Sequence, residues 1–173
     1  MSSINTKSES APSIVYLGLG ANVGDPAGNL RAAFGRLKNE VLTGARLSSL
    51  YITEPMDVKK QPDFINAVCT GSFSGSPEEL LEAIHLIEGS LGRNRAIEQR
   101  RGPRPIDIDI LLFGSLVINN PPKLVVPHER LLERKFALTP MLELTPTLKD
   151  PENGEAYSAA LSRIDDQWIQ RFD

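Results

Sequence analysis

The spacing of apolar residues along the chain predicts alternating strands and helices. Apolar runs and strict apolar–polar alternation, both typical of β-strands, occur at residues 13–19, 45–53, 64–70 and 106–113. Between the first two strands and between the last two, apolar residues recur every three or four positions, as in amphipathic helices. Gly114 and Ser115 form a predicted tight turn after the fourth strand. The predicted order is therefore β-α-β-β-α-β.

Both helices carry start signals in the sequence. Asp25 is a predicted N-cap followed by Pro26 at the first helical position. Ser76 and Glu79 have the spacing of a capping box, in which each side chain bonds to the backbone of the other residue. Gly92 is the predicted end of the second helix.

This order predicts an α+β fold with a ferredoxin-like, split β-α-β antiparallel sheet. Both helices would cover one face, which leaves the other face open for a ligand. C-terminal additions are predicted as short helices near Arg130 and at 136–142, with an amphipathic end around Leu161 and Trp168. Residues 1–12 are polar and predict a disordered tail, and residues 13–173 predict a single domain.

Composition excludes several classes of protein. The 173 residues are 40% hydrophobic with a net charge of -3, whereas proteins that bind duplex nucleic acid are usually strongly basic, so no nucleic-acid partner is expected. One cysteine and two histidines exclude a disulfide framework and leave little for a Cys/His metal centre. No apolar run is long enough to cross a membrane, and the polar N-terminal residues do not resemble a secretory signal. A cytoplasmic location is expected.

Asp107 and Asp109 are the strongest candidates for chemistry. Residues two apart on a strand point to the same side, so both carboxylates project together. Adjacent carboxylates repel each other, which makes sense if a divalent cation lies between them. Mg²⁺ prefers such hard oxygen ligands, combined with substrate phosphates and water. A solvated sheet face with alternating aspartates would give the same short pattern.

An arginine-rich segment immediately precedes these aspartates. Arg93, Arg95, Arg100, Arg101 and Arg104 lie within twelve residues that contain one acid. A local cation cluster on an acidic protein points to a small polyanion, and the planar guanidinium suits phosphate oxygens. Arginines beside paired carboxylates are typical of phosphoryl-type transfer. The alternative is a surface loop held in salt bridges.

Several further residues could bind a flat, polar ligand or its phosphates. Phe64 and Asn66 share a strand face, which combines an aromatic surface with an amide, and Phe136 could cover the opposite side. Each phenylalanine could equally be a core residue. Glu88 lies near the C-terminal end of a helix, where negative charge is disfavoured, so it is either solvated or paired with an arginine or ligand. His128 lies in a loop six residues before Arg134.

The run from Arg101 to Leu111, RGPRPIDIDIL, resembles the signature of the 6-hydroxymethyl-7,8-dihydropterin pyrophosphokinase family. The resemblance continues through YLGLGAN at 16–22, FINA at 64–67, LFG at 112–114, VPH at 126–128 and RKF at 134–136. It covers residues 13–146 in order. The fold of that family is ferredoxin-like, in agreement with the predicted order of elements.

The resemblance implies ATP-dependent transfer of a pyrophosphoryl group to the hydroxymethyl oxygen of the pterin, with release of AMP. It implies that Asp107 and Asp109 hold two Mg²⁺ ions on the triphosphate, while Arg93 and Arg104 contact phosphates. It places six residues on the ATP side: Glu88, Arg95, Arg101, Ile110, His128 and Arg134. It places six around the pterin: Thr53, Pro55, Met56, Phe64, Asn66 and Phe136. The family is commonly monomeric, so a monomer is expected.

This chain departs from the family pattern at a few positions. Arg101 stands where many members have tryptophan, Phe64 where tyrosine is frequent and Ala21 where serine is usual. None of these changes removes a residue matched to a metal or phosphate. Two other classes remain open: a palm-type nucleotidyl transferase or cyclase, and a ferredoxin-like regulator that binds a ligand without catalysis. The palm-type enzymes usually place their two acids on different strands.

Overall fold

A computed structural model describes residues 11–56, 60–94 and 102–172. Within them, the strands are Ser13–Ala21 (β1), Thr43–Leu47 (β2), Tyr51–Thr53 (β3), Phe64–Phe73 (β4), Asp107–Phe113 (β5), Ile118–Asn120 (β6), Leu124–Val126 (β7) and Ile169–Arg171 (β8). The α-helices are Pro26–Arg36 (α1), Pro77–Ser90 (α2), Lys135–Leu144 (α3) and Tyr157–Leu161 (α4). A π-helical segment, Leu37–Val41, continues α1, and a 3-10 turn, Leu131–Glu133, precedes α3.

The main sheet is antiparallel, with strand order β5-β1-β4-β3-β8, and β2 pairs with another part of β4. The predicted β-α-β-β-α-β order and the ferredoxin-like α+β class are confirmed. β6 and β7 form a separate hairpin after the turn at Gly114, whose φ of +53° suits a residue without a side chain. β1 lies between β4 and the edge strand β5.

Both predicted helix starts are confirmed. The Asp25 side chain accepts a hydrogen bond from the backbone N–H of Gly28 at 3.0 Å. Ser76 Oγ accepts from the N–H of Glu79 at 3.1 Å, and the Glu79 carboxylate accepts from the N–H of Ser76 at 2.8 Å. Each contact satisfies backbone groups that the first turn of a helix leaves without partners. α2 ends at Ser90, just before Gly92, as predicted.

The predicted second strand, residues 45–53, is wrong as a single element, because it is divided into β2 and β3. Between them, Ser48 donates its N–H to the Val68 carbonyl at 2.9 Å, and Ser48 Oγ accepts from the Val68 N–H at 3.0 Å. A hydroxyl thus takes the place of a backbone carbonyl in the hydrogen bonds to β4. Regular strand pairing is interrupted at this point, and the Leu50 side chain is buried.

Each face of the sheet packs against its own set of helices. The larger core joins one face to α1 and α2, with Leu17, Leu30, Ile84 and Ile108 among its fully buried residues. The second core joins the opposite face to α3 and α4. The expectation of an open second face is therefore only partly right, because the apolar C-terminal helices cover part of it. The uncovered part lies beside β1 and β5.

Within residues 11–56, 60–94 and 102–172, no helix is both long enough and apolar enough to cross a bilayer.

Candidate active site

An open cleft lies on the uncovered face of the sheet. Its floor is formed by β1, β4 and β5, and its wall by the segment that leads into α3. Six charged side chains line it together: Glu54, Arg104, Asp107, Asp109, Arg130 and Arg134. A concave site with convergent charged groups is the usual setting for ligand binding.

Asp107 and Asp109 both line the cleft, as the alternation on β5 predicts, while Ile108 between them is buried in the opposite core. On the neighbouring strand β1, Gly20 stands opposite Asp107 and Gly18 opposite Asp109. Neither glycine adds a side chain of its own: a Cβ on Gly18 would lie 3.3 Å from Leu111, and one on Gly20 would lie 3.0 Å from Asn66 Oδ1. The sheet register thus places residues without side chains beside both acids.

The donor set at these aspartates fits Mg²⁺. Two carboxylates supply hard oxygen ligands in a cleft open to substrate, and Mg²⁺ typically completes its shell with phosphates and water. Among the described residues, no group of three or more His, Cys, Asp or Glu side chains could hold a metal. An all-protein cage is therefore not found in this part of the chain, whereas a site shared with a phosphate ligand fits it.

Arginines hold Asp107 from two sides. The Arg93 guanidinium contacts both Asp107 and Glu88, and its side chain is almost fully buried. Arg104 lies 3.1 Å from Asp107, measured from NH1 to Oδ2. Charged hydrogen bonds of this kind fix the carboxylate and keep a buried charge compensated.

Asp109 faces a second pair of basic groups. Arg134 NH1 lies 3.4 Å from Asp109 Oδ2, and His128 Nε2 lies 3.8 Å from the same oxygen. Loss of hydration in the cleft raises the pKa of Asp109 to about 6, with a further contribution from the negative charge of Asp107. Although 40% of the Asp109 side chain is exposed, it lines the cleft, where nearby charges still act on it. A cation bound here would favour the ionised form.

His128 is held as a neutral ring. Its burial lowers its pKa to about 4, and the positive charge of Arg134 lowers it further. The backbone N–H of Arg130 donates to Nδ1 at 3.1 Å, and a guanidinium nitrogen of Arg134 lies 3.3 Å from Nε2. The neutral ring thus lies beside Arg134 and Asp109 without adding charge to the site.

An aromatic and amide group occupies the other part of the cleft. Phe64 and Phe136 both line it, and each ring has an arginine guanidinium carbon 5.6 Å from its centroid: Arg104 for Phe64 and Arg134 for Phe136. These cation–π contacts connect the aromatic part to the charged part. Asn66 also lines the cleft and is buried.

Asn66 is held in a defined orientation. Its Nδ2 donates to Thr53 Oγ1 at 2.8 Å, and both side chains are buried. A Cβ placed on Gly20 would lie 3.0 Å from Asn66 Oδ1, so the glycine leaves this oxygen its space. The arrangement can offer a flat heterocycle an amide edge beside two aromatic rings.

The structure brings together most of the residues singled out from the sequence. Those that line the cleft are Thr53, Met56, Phe64, Asn66, Arg104, Asp107, Asp109, Arg134 and Phe136. Arg93 and His128 reach the aspartates from its edge. Pro55 lies between Glu54 and Met56, which line the cleft, but Pro55 itself does not. Arg95 and Arg101 lie outside the described residues.

Two residues that the resemblance matches to the ATP side do not line the cleft. The Ile110 side chain is packed in the core against α1 and α2, because its position in the alternation points it away from the cleft. Any contact of Ile110 with a nucleotide would therefore come from its backbone. Glu88 is not at a solvated helix end: it is 1% exposed, contacts Arg93 and accepts from the N–H of Ile108 at 2.8 Å. It supports β5 from behind and does not line the cleft.

Some contributors were missed from the sequence. Arg130, Glu54 and Gln61 line the cleft, and the charged stretch 129–135 is the one signal that could have indicated Arg130. Asn22 organises two loops: its Nδ2 donates to Gln61 Oε1 at 3.1 Å, and its Oδ1 accepts from the Arg104 N–H at 2.9 Å. An isolated asparagine in a glycine-rich turn gives no sequence sign of such contacts.

The chain is similar to known proteins both in its sequence and in its fold. The family model described as 7,8-dihydro-6-hydroxymethylpterin-pyrophosphokinase matches residues 16–146. A 2-amino-4-hydroxy-6-hydroxymethyldihydropteridine pyrophosphokinase of Pseudomonas aeruginosa is 39% identical over 141 residues, which are 80% of this chain and 84% of that protein. A folic acid synthesis protein of Pneumocystis carinii is 38% identical over 156 residues, which are 90% of this chain and 21% of that protein.

The structural comparison agrees with this. The wild-type Plasmodium falciparum HPPK-DHPS structure has a TM-score of 0.70 at 14% identity, covering 91% of this chain and 44% of that one. The chain thus spans about a fifth of the fungal relative and less than half of the solved structure. At that identity, the structural likeness supports the fold alone. On the family match to residues 16–146 and the bacterial relative, the chain belongs to the 7,8-dihydro-6-hydroxymethylpterin-pyrophosphokinase family.

Proposed function

We propose that this protein transfers the pyrophosphoryl group of ATP to the hydroxymethyl oxygen of 6-hydroxymethyl-7,8-dihydropterin, a step in folate biosynthesis. The observation that carries the proposal is the cleft itself. One cavity combines paired carboxylates, three arginines and two phenylalanine rings flanking a buried amide. Membership of the pyrophosphokinase family supports the same reaction.

The charged part of the cleft takes the triphosphate. Asp107 and Asp109 would hold two Mg²⁺ ions, which would supply positive charge to neutralise the triphosphate. Arg104 and Arg134 lie beside these carboxylates and face the same cavity, so their guanidinium groups are placed to contact phosphate oxygens. Arg93 keeps Asp107 in position from behind. His128 lies on the nucleotide side together with Arg95, Arg101 and the Ile110 backbone. Glu88 acts on that side indirectly, by holding Arg93 and β5 in place.

The aromatic part takes the pterin. Phe64 and Phe136 stack on its two ring faces, and Asn66, oriented by Thr53, bonds to its polar edge. The chain around Pro55 and Met56 closes the edge. The hydroxymethyl oxygen then faces the paired aspartates, since both parts belong to one cleft.

The transfer is an in-line displacement at the β-phosphorus. A bond forms between the hydroxymethyl oxygen and that phosphorus, and the bond from the phosphorus to the oxygen of the α-phosphate breaks. AMP leaves with the electron pair, and the hydroxyl proton is released to solvent. Positioning and charge neutralisation by the arginines supply most of the acceleration in such reactions.

We further propose that residues 13–173 act as one catalytic unit, with residues 1–12 outside it. Both hydrophobic cores pack on the same sheet, and α3 contributes to the cleft wall, which supports this unit. We propose a monomer in the cytoplasm, because side chains of a single chain form the whole described cleft and the buried cysteine, Cys69, forms no disulfide. Sedimentation analysis of the purified chain tests the monomer.

A product assay tests the function. Purified protein is incubated with ATP, Mg²⁺ and hydroxymethyl-dihydropterin, and nucleotide products are separated by chromatography. AMP together with the dihydropterin diphosphate is the expected result. Pyrophosphate release would instead indicate a nucleotidyl transferase or cyclase, ADP a simple kinase, and no turnover a binding protein.

Variants of the carboxylates test the assignment of the site. Asp107→Ala and Asp109→Ala are each expected to lower kcat by about a hundredfold or more, since they remove charge complementarity at the transferred group. Glu40→Gln is the matched control, because this exposed acid on the helix-covered side does not line the cleft. An active double variant would overturn the metal assignment.

A further inference from the structure

We infer that Arg130 is a further polyphosphate-binding residue of the cleft, an assignment that rests on the function proposed above. Arg130 was not among the residues that the family resemblance assigns to the nucleotide. In the structure, its side chain lines the same cavity as Asp107, Asp109 and Arg134. The charged stretch 129–135 therefore places two arginines, four residues apart, at the cleft wall.

The turn that carries Arg130 is firmly held. Its N–H donates to His128 Nδ1 at 3.1 Å, the Leu131 N–H donates to the His128 carbonyl at 2.9 Å, and the Glu133 N–H donates to the Arg130 carbonyl at 3.2 Å. Backbone fixed in this way limits where the side chain can reach. The side chain thus extends from a fixed backbone into the cavity that it lines, and fixing the backbone beforehand lowers the cost of binding.

One contact of Arg130 is with an exposed acid. Its Nε lies 3.6 Å from Glu133 Oε2, and the Glu133 side chain is 69% exposed. This separation exceeds that of a good hydrogen bond, and exposed pairs are weak. The Glu133 pair therefore opposes phosphate binding only weakly.

The charge of the described cleft lining supports a phosphate ligand. Without Arg130, two arginines would face three carboxylates, Glu54, Asp107 and Asp109. With Arg130 the two signs balance among these described residues, and the bound cations then make the site positive. The planar guanidinium can bind two phosphate oxygens at once. A neutral pterin has no such pair of charged oxygens. The geometry therefore favours the polyphosphate over the pterin.

Titration calorimetry with a non-hydrolysable ATP analogue and Mg²⁺ tests the inference. Arg130→Met and Arg130→Gln are each expected to raise the Kd of the analogue by about 10- to 100-fold, the usual effect of losing charged hydrogen bonds. The Kd for hydroxymethyl-dihydropterin should change less than about twofold. Arg163→Met is the matched control, because Arg163 pairs with Glu155 on an exposed surface, at 2.8 Å and 61% exposure, and does not line the cleft.

The outcomes separate this inference from the proposed function. Unchanged affinity for the analogue in a folded Arg130 variant would overturn the inference, as would weakening confined to the pterin. Thermal unfolding shows whether each variant is folded. If the methionine variant is unfolded, the glutamine variant, which keeps a polar side chain in the turn, is used for the measurement. A wild-type protein that binds no analogue or forms no AMP would instead overturn the proposed function.

Discussion

Glu88 accepts a hydrogen bond from the backbone N–H of Ile108, with 2.8 Å between Oε1 and N, across the interface of α2 and β5. The same carboxylate contacts Arg93, which in turn contacts Asp107. The end of α2 is thus tied both to the backbone of the strand that carries the paired acids and to one of those acids. This buried chain of contacts holds β5 from the side opposite the cleft.

Replacing Glu88 should therefore destabilise the protein. Glu88→Ala leaves the Arg93 charge without one of its buried partners and the Ile108 N–H without an acceptor, so we expect the free energy of unfolding to fall by about 3 kcal/mol. Glu88→Gln keeps an acceptor for Ile108 and should cost less. Urea denaturation measures both. Glu40→Ala removes an exposed acid paired with Arg36 and is the control, with little effect expected. An alanine variant as stable as the wild type would contradict this role.

Asp109→Asn should stabilise the metal-free protein while it abolishes turnover. The folded-state pKa of Asp109 is raised to about 6, so its ionised form opposes folding at neutral pH. Because the side chain is 40% exposed, solvent screening limits the expected increase in the free energy of unfolding to about 1 kcal/mol. Urea unfolding in EDTA at pH 7.5 measures it.

The pH dependence of that gain provides the control. Below pH 6 the native carboxyl of the wild type takes up its proton, while the unfolded chain stays ionised down to the ordinary value of 3.8. The destabilisation of the wild type by ionised Asp109 is therefore lost progressively as the pH falls from 6 toward 3.8. The free energies of unfolding of the two proteins should converge over this range. A gain that stays constant from pH 7.5 to 4.5 would show that the asparagine acts in another way.

Phe64→Leu should weaken pterin binding selectively. Leucine keeps much of the apolar volume but removes the stacking face, so the Kd for the pterin, measured with the ATP analogue present, should rise by about 3- to 10-fold. Phe64→Tyr keeps the ring and should bind like the wild type. Fluorescence titration measures both. Equal weakening by the two substitutions would indicate a packing defect rather than lost stacking.

Cys69 should be unreactive in the folded protein. It lies on β4 with no exposed surface, and burial raises its thiol pKa to about 12, so almost no thiolate forms at pH 8. An aromatic disulfide reagent should therefore detect no thiol under native conditions. Since the chain has one cysteine, the reagent should detect one thiol per chain in guanidinium chloride. Rapid native labelling would contradict the burial of β4.

The local pattern of the sequence determined much of the fold. Capping residues such as Asp25 and Ser76 act within one helical turn, so their roles can be predicted from spacing alone. The placement of Asp107 and Asp109 on one face follows from the two-residue period of a strand. These features depend on neighbours in the chain, which the sequence shows directly.

Tertiary structure decided what each of those faces meets. The period of β5 could not show that Glu88 is buried behind it, that α3 and α4 cover part of the open face, or that Arg130 reaches the cleft. Ser48 likewise divides the second strand only because Val68 lies beside it. Periodicity fixes the direction of a side chain, whereas its partner comes from a distant segment and depends on how the whole chain packs.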